Sequence, residues 1–345
     1  MKDRLEAFRQ RHRVAAIGAA TLDISRDVAD DVDVYVVGVT RRAGTEAVVV
    51  SDAWHIGSCA KALTAALYAR LVEQGRAEWG TRISDLFPDL ADAVHDGWAL
   101  ATIDDLFTCR SGLPANPTRQ AMSGAYRDHR PAVDQRTAAA RSALIDPPRN
   151  QFRFLYSNLG YVVAGAAIDR LAGQSFEALL RSEILDPLGV TSAGFGPPPR
   201  ILGHRPRVQI GNFCLGRGDP ADATDIHSDN PPLLTPAGRL HLSLSDWARV
   251  QRLFLDGAGL LAPASLEHLL RRPSDGRGMA MGWASSRGLP GIELGMQGSN
   301  TMWAATALMS DDRRRMAMVI TNDGRTSLLG STALLAADLL AGHGP

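Results

Sequence analysis

The spacing of hydrophobic residues changes along this chain and separates strand-like ends from a helical middle. Near the N-terminus, the apolar runs Val14 to Leu22 and Val32 to Val39 predict strands, and Glu46 to Val50 predicts a third. A helical period follows, with leucines at every fourth residue from Leu63 to Leu71 and Gly75 in the position that ends a helix. Residues 3–12 predict a short charged helix before the first strand.

The remaining pattern is helical up to about residue 270 and strand-like after it. Residues 114–150 are polar with scattered prolines, and residues 200–232 predict a long surface loop near a site. The predicted helices are Thr102 to Leu106 (start only), Asn158 to Leu171, Phe176 to Leu185, Ser245 to Leu255 with Ser245 as N-cap, and Ser327 to Ala341. The predicted C-terminal strands are Gly282 to Ser285, Gly291 to Met296, Met302 to Met309 and Met316 to Thr321.

This order of elements predicts an α/β (α+β) fold with one antiparallel sheet built from both chain ends and flanked by terminal helices. We expect a single domain over residues 1–345. Its α/β part covers about 1–78 and 280–345, and a mainly helical part covers about 79–279.

Composition narrows the possible partners. The chain has 345 residues, 45% of them hydrophobic and 21% charged, with a formal net charge of zero, which argues against nucleic acid and anionic membranes. No apolar run reaches the ~18 residues of a membrane span, and no clear signal peptide is present. We therefore expect a cytoplasmic protein, with a periplasmic or secreted one still open if the N-terminus has been trimmed. Three cysteines and nine histidines without metal-ligand spacing predict no disulfide framework, metal or cofactor.

Ser58 and Lys61 are the first candidate catalytic residues, because they lie one turn apart at the start of the leucine-rich helix. Burial and the positive helix end both disfavour a charged lysine, and a neutral amine accepts the proton of a serine hydroxyl. Lys2 and Lys61 are the only lysines in the chain. The same tetrapeptide also occurs as an N-cap serine beside a solvated lysine, so that alternative stays open. Cys59 is interpreted as a small buried residue.

Two later segments supply candidate partners. Tyr156 stands just before a predicted helix, where its phenol is placed to shuttle protons beside an amine. Asn158 offers an amide that orients the lysine or a substrate carbonyl. Further on, a glycine on an edge strand precedes Ser299, whose N–H is predicted to pair with that of Ser58 as an oxyanion hole. A buried tyrosine with a capping asparagine, and a simple strand connection, are the structural alternatives.

These residues, in this order, resemble the serine β-lactamase and penicillin-binding-protein superfamily, in particular the class C β-lactamase-related branch with its family VIII carboxylesterases. The resemblance covers about residues 14–340 and implies an acyl-enzyme serine hydrolase. The flanking stretches that support it are His55 to Ser58, Leu71 to Gly75, Ser111 to Pro114, Tyr156 to Tyr161 and Pro236 to Gly238.

One motif departs from this resemblance. The third motif of the family has Lys or His, then any residue, then Gly, where this chain has Met296, Gln297 and Gly298. A desolvated substrate carboxylate needs a cation or several donors, and Met296 is expected to add an apolar wall instead. We therefore expect carboxylic esters as substrates, in preference to β-lactams and D-Ala-D-Ala peptides.

Three alternatives remain open from the sequence. The chain is a β-lactamase or a D-amino-acid peptidase or amidase of the same family, or it is a binding protein that has lost catalysis. His227 is a further triad candidate, although a loop histidine among aspartates is more often solvated. The expected partner is a small ester or amide substrate, and the oligomeric state is left open.

Overall fold

Strands from both ends of the chain meet in one six-stranded sheet. The computed structural model describes residues 1–27, 31–90, 92–210, 213–222, 224–274, 278–286 and 288–342. The strands are β1 Ala16–Asp23, β2 Val32–Gly38, β3 Ala53–His55, β4 Gly194–Phe195, β5 His204–Ile210, β6 Phe213–Pro220, β7 Leu240–Ser243, β8 Ala284–Ser285, β9 Ile292–Gly298, β10 Ala304–Ser310 and β11 Arg315–Thr321. The main sheet has the order β2-β1-β11-β10-β9-β8, and all its pairs are antiparallel.

Helices cover both faces of this sheet. They are α1 Lys2–His12, α2 Lys61–Glu73, α3 Ile83–Leu86, α4 Ile103–Phe107, α5 Arg119–Ala125, α6 Ala132–Ile145, α7 Asn158–Ala172, α8 Phe176–Leu180, α9 Thr235–Gly238, α10 Leu244–Asp256, α11 Pro263–Leu270 and α12 Ser327–Ala341. Helices α1 and α12 pack on one face, and α10 packs on the other. A sheet covered on both faces needs strands that are apolar throughout, which explains the unbroken apolar run of β1. Ile17 and Ala19 of β1 join the core under α12, while Ala20 and Leu22 join the larger core.

The larger core surrounds α2 and keeps water from its first turns. Every residue from Lys61 to Ala69 is buried. A helix that is apolar on all sides is typical of a protein interior. The chain leaves α2 through Gly75, whose φ of +68° matches the helix end predicted for it. A lysine therefore opens a helix whose first nine residues are all buried in this core.

Two loop and strand predictions near the chain surface are wrong. Residues Glu46 to Val50 form no strand: only Ala47 bridges to Val39, because the Asp52 carboxylate accepts the Val49 N–H and turns the chain. Residues 200–232, predicted as a loop, contain the two-stranded ribbon β5–β6. Arginines and glycines interrupt the apolar alternation there, and Val208, Ile210, Phe213 and Leu215 are exposed.

One helix cap needs correction, and the helical region holds two helices that the sequence pattern does not delimit. The polar segment 114–150 contains these helices, α5 and α6, and the apolar period of α6 is obscured because α6 turns the charged Arg136 inward. The Arg136 guanidinium donates to the carboxylates of Asp169 and Glu177, which makes burial of this charge tolerable. Helix α10 is capped by Ser243, whose hydroxyl accepts the Asp246 N–H, and not by Ser245. Among the described residues, every helix is too short or too polar to cross a lipid bilayer.

Candidate active site

Ser58 lies on a single 3-10 turn, Gly57–Ala60, that continues directly into α2. It is partly exposed, whereas its neighbours are buried. Gly57 adopts a φ of +54°, which an L side chain rarely tolerates, and this conformation turns the chain from β3 into the helix. The adjacent Cys59 is 2% exposed, and burial raises the pKa of its thiol. Of the two side chains in this turn that could act as a nucleophile, Ser58 and Cys59, only Ser58 is therefore reached by solvent.

The Lys61 amine contacts the Ser58 hydroxyl and two acceptors. Its Nζ lies 3.1 Å from Ser58 Oγ, 2.7 Å from Asn158 Oδ1 and 2.5 Å from the carbonyl oxygen of Ala237. Burial lowers the pKa of Lys61 to about 7. A neutral amine has two N–H groups and one lone pair. Since the Asn158 and Ala237 oxygens only accept, the two N–H groups suit them, and the lone pair then faces the Ser58 hydroxyl.

The two acceptors are themselves held in place. Asn158 is the first residue of α7. Its Nδ2 donates to Asn116 Oδ1 at 2.7 Å, and this bond turns the Asn158 Oδ1 toward the lysine. The turn carrying Ala237 is tied to α2 by the Thr64 hydroxyl, which donates to the Pro236 carbonyl at 2.7 Å. The lysine amine thus has a fixed position between α2, α7 and this turn.

Tyr156 completes the group around Ser58. Its hydroxyl is hydrogen-bonded to Ser58, and the Lys61 Nζ lies 4.9 Å from the centre of its ring. Tyr156 is 37% exposed, but desolvation still raises its pKa, so the phenol keeps its proton at neutral pH. Tyr161 stands on the other side, with its ring centre 5.4 Å from Nζ. Two aromatic rings therefore shield the amine from water.

Three glycines allow backbone segments to meet around Ser58. A Cβ added to Gly298 would lie 2.8 Å from the backbone nitrogen of Ser58, and one added to Gly238 would lie 3.1 Å from the same atom. A Cβ added to Gly57 would lie 2.5 Å from the backbone nitrogen of Ser299. No side chain larger than hydrogen fits at these points. The end of β9 is thereby placed against the serine turn, with the N–H groups of Ser58 and Ser299 in adjacent segments.

Met296 and Gln297, the two other residues of the third motif, make their contacts away from the serine turn. Gln297 donates to the Leu329 carbonyl of α12 at 2.7 Å, on the far face of the sheet. Met296 is 3% exposed, and its sulfur accepts a hydrogen bond from Gln251 Nε2 at 3.5 Å. The apolar wall expected from Met296 is therefore a buried core contact. Gly298 is the residue of this motif that reaches the serine turn, together with Ser299 directly after it.

A histidine does pair with an aspartate near Ser58, but it is not His227. The ring of His227 is exposed and packs edge-on against Tyr126, with 4.4 Å between ring centres. The buried pair is His55 and Asp229, with His55 Nε2 2.9 Å from one carboxylate oxygen. Sequence reasoning missed this pair. The available sign was a histidine in an apolar strand, three residues before Ser58.

Comparison with known proteins agrees with this arrangement. The Beta-lactamase family profile matches residues 9–340. This chain belongs to the beta-lactamase family. Penicillin-binding protein 4 of Amycolatopsis lactamdurans, a relative, is 27% identical over 299 residues, which are 82% of this chain and 73% of that protein. The chain spans only 38 to 40% of the length of three further curated relatives.

Solved structures share the beta-lactamase-family fold over nearly the whole chain. The D-amino acid amidase from Ochrobactrum anthropi SV3 has a TM-score of 0.78 at 21% identity, covering 99% of this chain and 97% of the amidase. A class C beta-lactamase from Rhodobacter sphaeroides has a TM-score of 0.74 at 17% identity, covering 98% and 97% of the two chains. These findings confirm the predicted α/β fold and the family resemblance. They support a serine hydrolase of the beta-lactamase family.

Proposed function

We propose that Ser58 is the nucleophile of an acyl-enzyme hydrolase and that Lys61 is its general base. The observation that carries this proposal is the position of the Lys61 amine. It is buried, its Nζ lies 3.1 Å from Ser58 Oγ, and its other hydrogen bonds go to two oxygens that only accept. In acylation, Ser58 Oγ attacks the substrate carbonyl and its proton passes to Nζ of Lys61. The oxygen of the tetrahedral intermediate then carries a negative charge.

The N–H groups of Ser58 and Ser299 are proposed to hold this oxyanion. Preorganised donors of this kind stabilise the developing negative charge. Loss of one such donor lowers kcat ~10²–10³-fold. The close approach at Gly298 supports the proposal, because it brings the two segments into contact. Asn158 is proposed to keep Lys61 oriented through its Oδ1.

Tyr156 is proposed to return a proton to the leaving group. Its hydroxyl is hydrogen-bonded to Ser58 and keeps its proton at neutral pH. It can therefore donate this proton to the leaving oxygen when the carbon–oxygen bond to the alcohol breaks. The Lys61 ammonium then returns its proton to the Tyr156 phenolate, so the amine is neutral again. A water molecule attacks the acyl carbon and gives a proton to this amine, which passes it to Ser58 Oγ as the bond between the acyl carbon and Oγ breaks. Ser58 is restored and the carboxylic acid leaves.

We propose small carboxylic esters as the substrates. The third motif offers no cation for a substrate carboxylate, because Met296 is buried in the core and Gln297 bonds to α12. An alkoxide is also a better leaving group than the amide anion that an unprotonated amide would release. Amides are the second candidate, favoured by the D-amino acid amidase among the similar structures.

A fluorophosphonate probe followed by intact-mass measurement tests the nucleophile. We expect one adduct on the wild type, none on Ser58→Ala, and an unchanged adduct on the control variant Cys59→Ala. A folded wild type that takes up no probe, or a Ser58→Ala variant that still takes it up, contradicts the proposal.

Substrate class is tested by comparing kcat/KM for a short-chain nitrophenyl ester, a chromogenic cephalosporin and a D-amino acid amide. We expect the ester to be cleaved with the highest kcat/KM. A preference for the cephalosporin would show that a carboxylate site exists outside the third motif. A preference for the amide would favour the second candidate.

A further inference from the structure

A buried carboxylate lies behind the proposed oxyanion hole. Asp229 is 4% exposed, and its two oxygens lie 2.9 Å and 3.1 Å from Nε2 of His55, which has no exposed surface. Desolvation by burial acts to raise the pKa of Asp229, but His55, Asn300 and Arg239 outweigh it and lower that pKa. Asp229 is therefore an anion that the surrounding side chains hold in the interior.

One arm of this network reaches the serine turn. The Nδ1 atom of His55 accepts the N–H of Gly57 at 3.1 Å, so Nδ1 carries no proton and Nε2 must carry it. That proton is donated to Asp229. The carboxylate thus selects the tautomer that leaves Nδ1 free to accept, and Gly57 is the residue directly before Ser58.

The second arm reaches the segment after β9. Asn300 Nδ2 donates to Asp229 Oδ1 at 2.9 Å, and Asn300 Oδ1 accepts the N–H of Met302 at 3.2 Å. Asn300 is 6% exposed and follows Ser299 directly. Asp229 therefore bridges the two backbone segments that carry the N–H groups of Ser58 and Ser299.

We propose that Asp229, acting through His55 and Asn300, is a positioning residue that sets the spacing and direction of the two oxyanion-hole N–H groups. This inference rests on the function proposed above. Neither Asp229 nor His55 touches the reacting atoms. Their effect is on the transition state, because the oxyanion forms only after Ser58 has attacked, and the binding of uncharged substrate is expected to change little.

Asp229→Asn is the decisive variant, because an asparagine has one acceptor oxygen where the aspartate has two. If that oxygen takes the Oδ1 position, 2.9 Å from both Asn300 Nδ2 and His55 Nε2, it still accepts from Asn300, but the amide nitrogen takes the Oδ2 position 3.1 Å from Nε2 and opposes the Nε2–H, which favours the other tautomer. If the oxygen takes the Oδ2 position, the amide nitrogen faces the Asn300 nitrogen. Either way one arm is weakened while the volume of the side chain stays the same.

We expect kcat for a nitrophenyl ester to fall about 10- to 100-fold in Asp229→Asn, less than when an oxyanion donor is removed outright. KM is expected to stay within about threefold of wild type. Histidine ¹⁵N NMR reports the tautomer of His55 independently of activity. We expect the buried imidazole to be protonated at Nε2 in wild type, and at Nδ1 in the variant if the His55 arm is lost. An unchanged kcat would overturn the proposal. So would a wild-type His55 protonated at Nδ1.

A second pair of variants covers the case in which Asp229→Asn does not fold. His55→Asn keeps an oxygen that accepts the N–H two residues on, whereas His55→Phe keeps the ring shape but no acceptor. We expect His55→Asn to retain at least fivefold more kcat than His55→Phe. Equal kcat in the two variants would show that the network serves folding alone. Failure of Ser58 labelling in wild type would instead refute the proposed function, and the tautomer measurement would still stand.

Discussion

Lowering the pH is expected to switch off the acylation step, because it protonates Lys61. An ordinary lysine, with a pKa of about 10.4, is neutral in only about one molecule in 2,500 at pH 7. With its pKa lowered by burial to about 7, about half of the Lys61 amines are neutral at that pH. The burial of α2 therefore supplies a roughly thousandfold increase in the concentration of active base.

The magnitude of the pH effect follows from the same value. Below pH 7 the neutral fraction falls about tenfold per pH unit, so kcat/KM at pH 5 should be about one hundredth of its plateau above pH 8. The Tyr156 phenol adds no transition in this range, since burial raises its pKa. The profile should therefore show one rise with a midpoint near pH 7.

The assay is kcat/KM for a nitrophenyl ester between pH 5 and 9, followed at the isosbestic wavelength of the leaving group. The rate of fluorophosphonate labelling gives an independent measure of the same step. His227→Ala is the matched control, because His227 is the other candidate base named from the sequence and its ring is exposed. A profile flat down to pH 5, a rate that still rises about tenfold per pH unit up to pH 9, or a midpoint that disappears in His227→Ala would refute the reasoning.

Further outcomes are expected from single substitutions. Lys61→Arg keeps the charge but supplies no neutral amine, so kcat should fall ~10²–10⁴-fold, and Tyr156→Phe should also be slow; near-full activity in Lys61→Arg would contradict this. Gly298→Ala places a Cβ 2.0 Å from a backbone carbonyl oxygen and should lower both kcat and Tm, whereas Gly330→Ala, inside helix α12 with no atom within 4 Å, should leave kcat unchanged and should not lower Tm. Thr102→Ala removes the capping box of α4 and should lower the free energy of unfolding by ~1 kcal/mol in a denaturant titration with kcat unchanged.

The sequence alone determined the features that depend on local pattern. The final helix was predicted with its observed bounds, Ser327–Ala341, because a leucine-rich helical period is a local property. The apolar runs at both ends predicted the strands of the main sheet, and the spacing of Ser58 and Lys61 predicted their contact, since residues one turn apart on a helix face each other. The order of motifs also identified the family.

Only the tertiary structure decided which distant groups meet these residues. The carbonyl of Ala237 is an acceptor that any residue type provides, so no pattern marks it as a partner of Lys61. Met296 and Gln297 are neighbours in the chain, yet the alternation of side chains along β9 buries one in the core and sends the other to α12. His55 and Asp229 are separated by 174 residues, and burial alone makes their pairing necessary, because an unpaired carboxylate in the core is too costly. Contacts of this kind arise from how elements pack, and a one-dimensional pattern does not contain them.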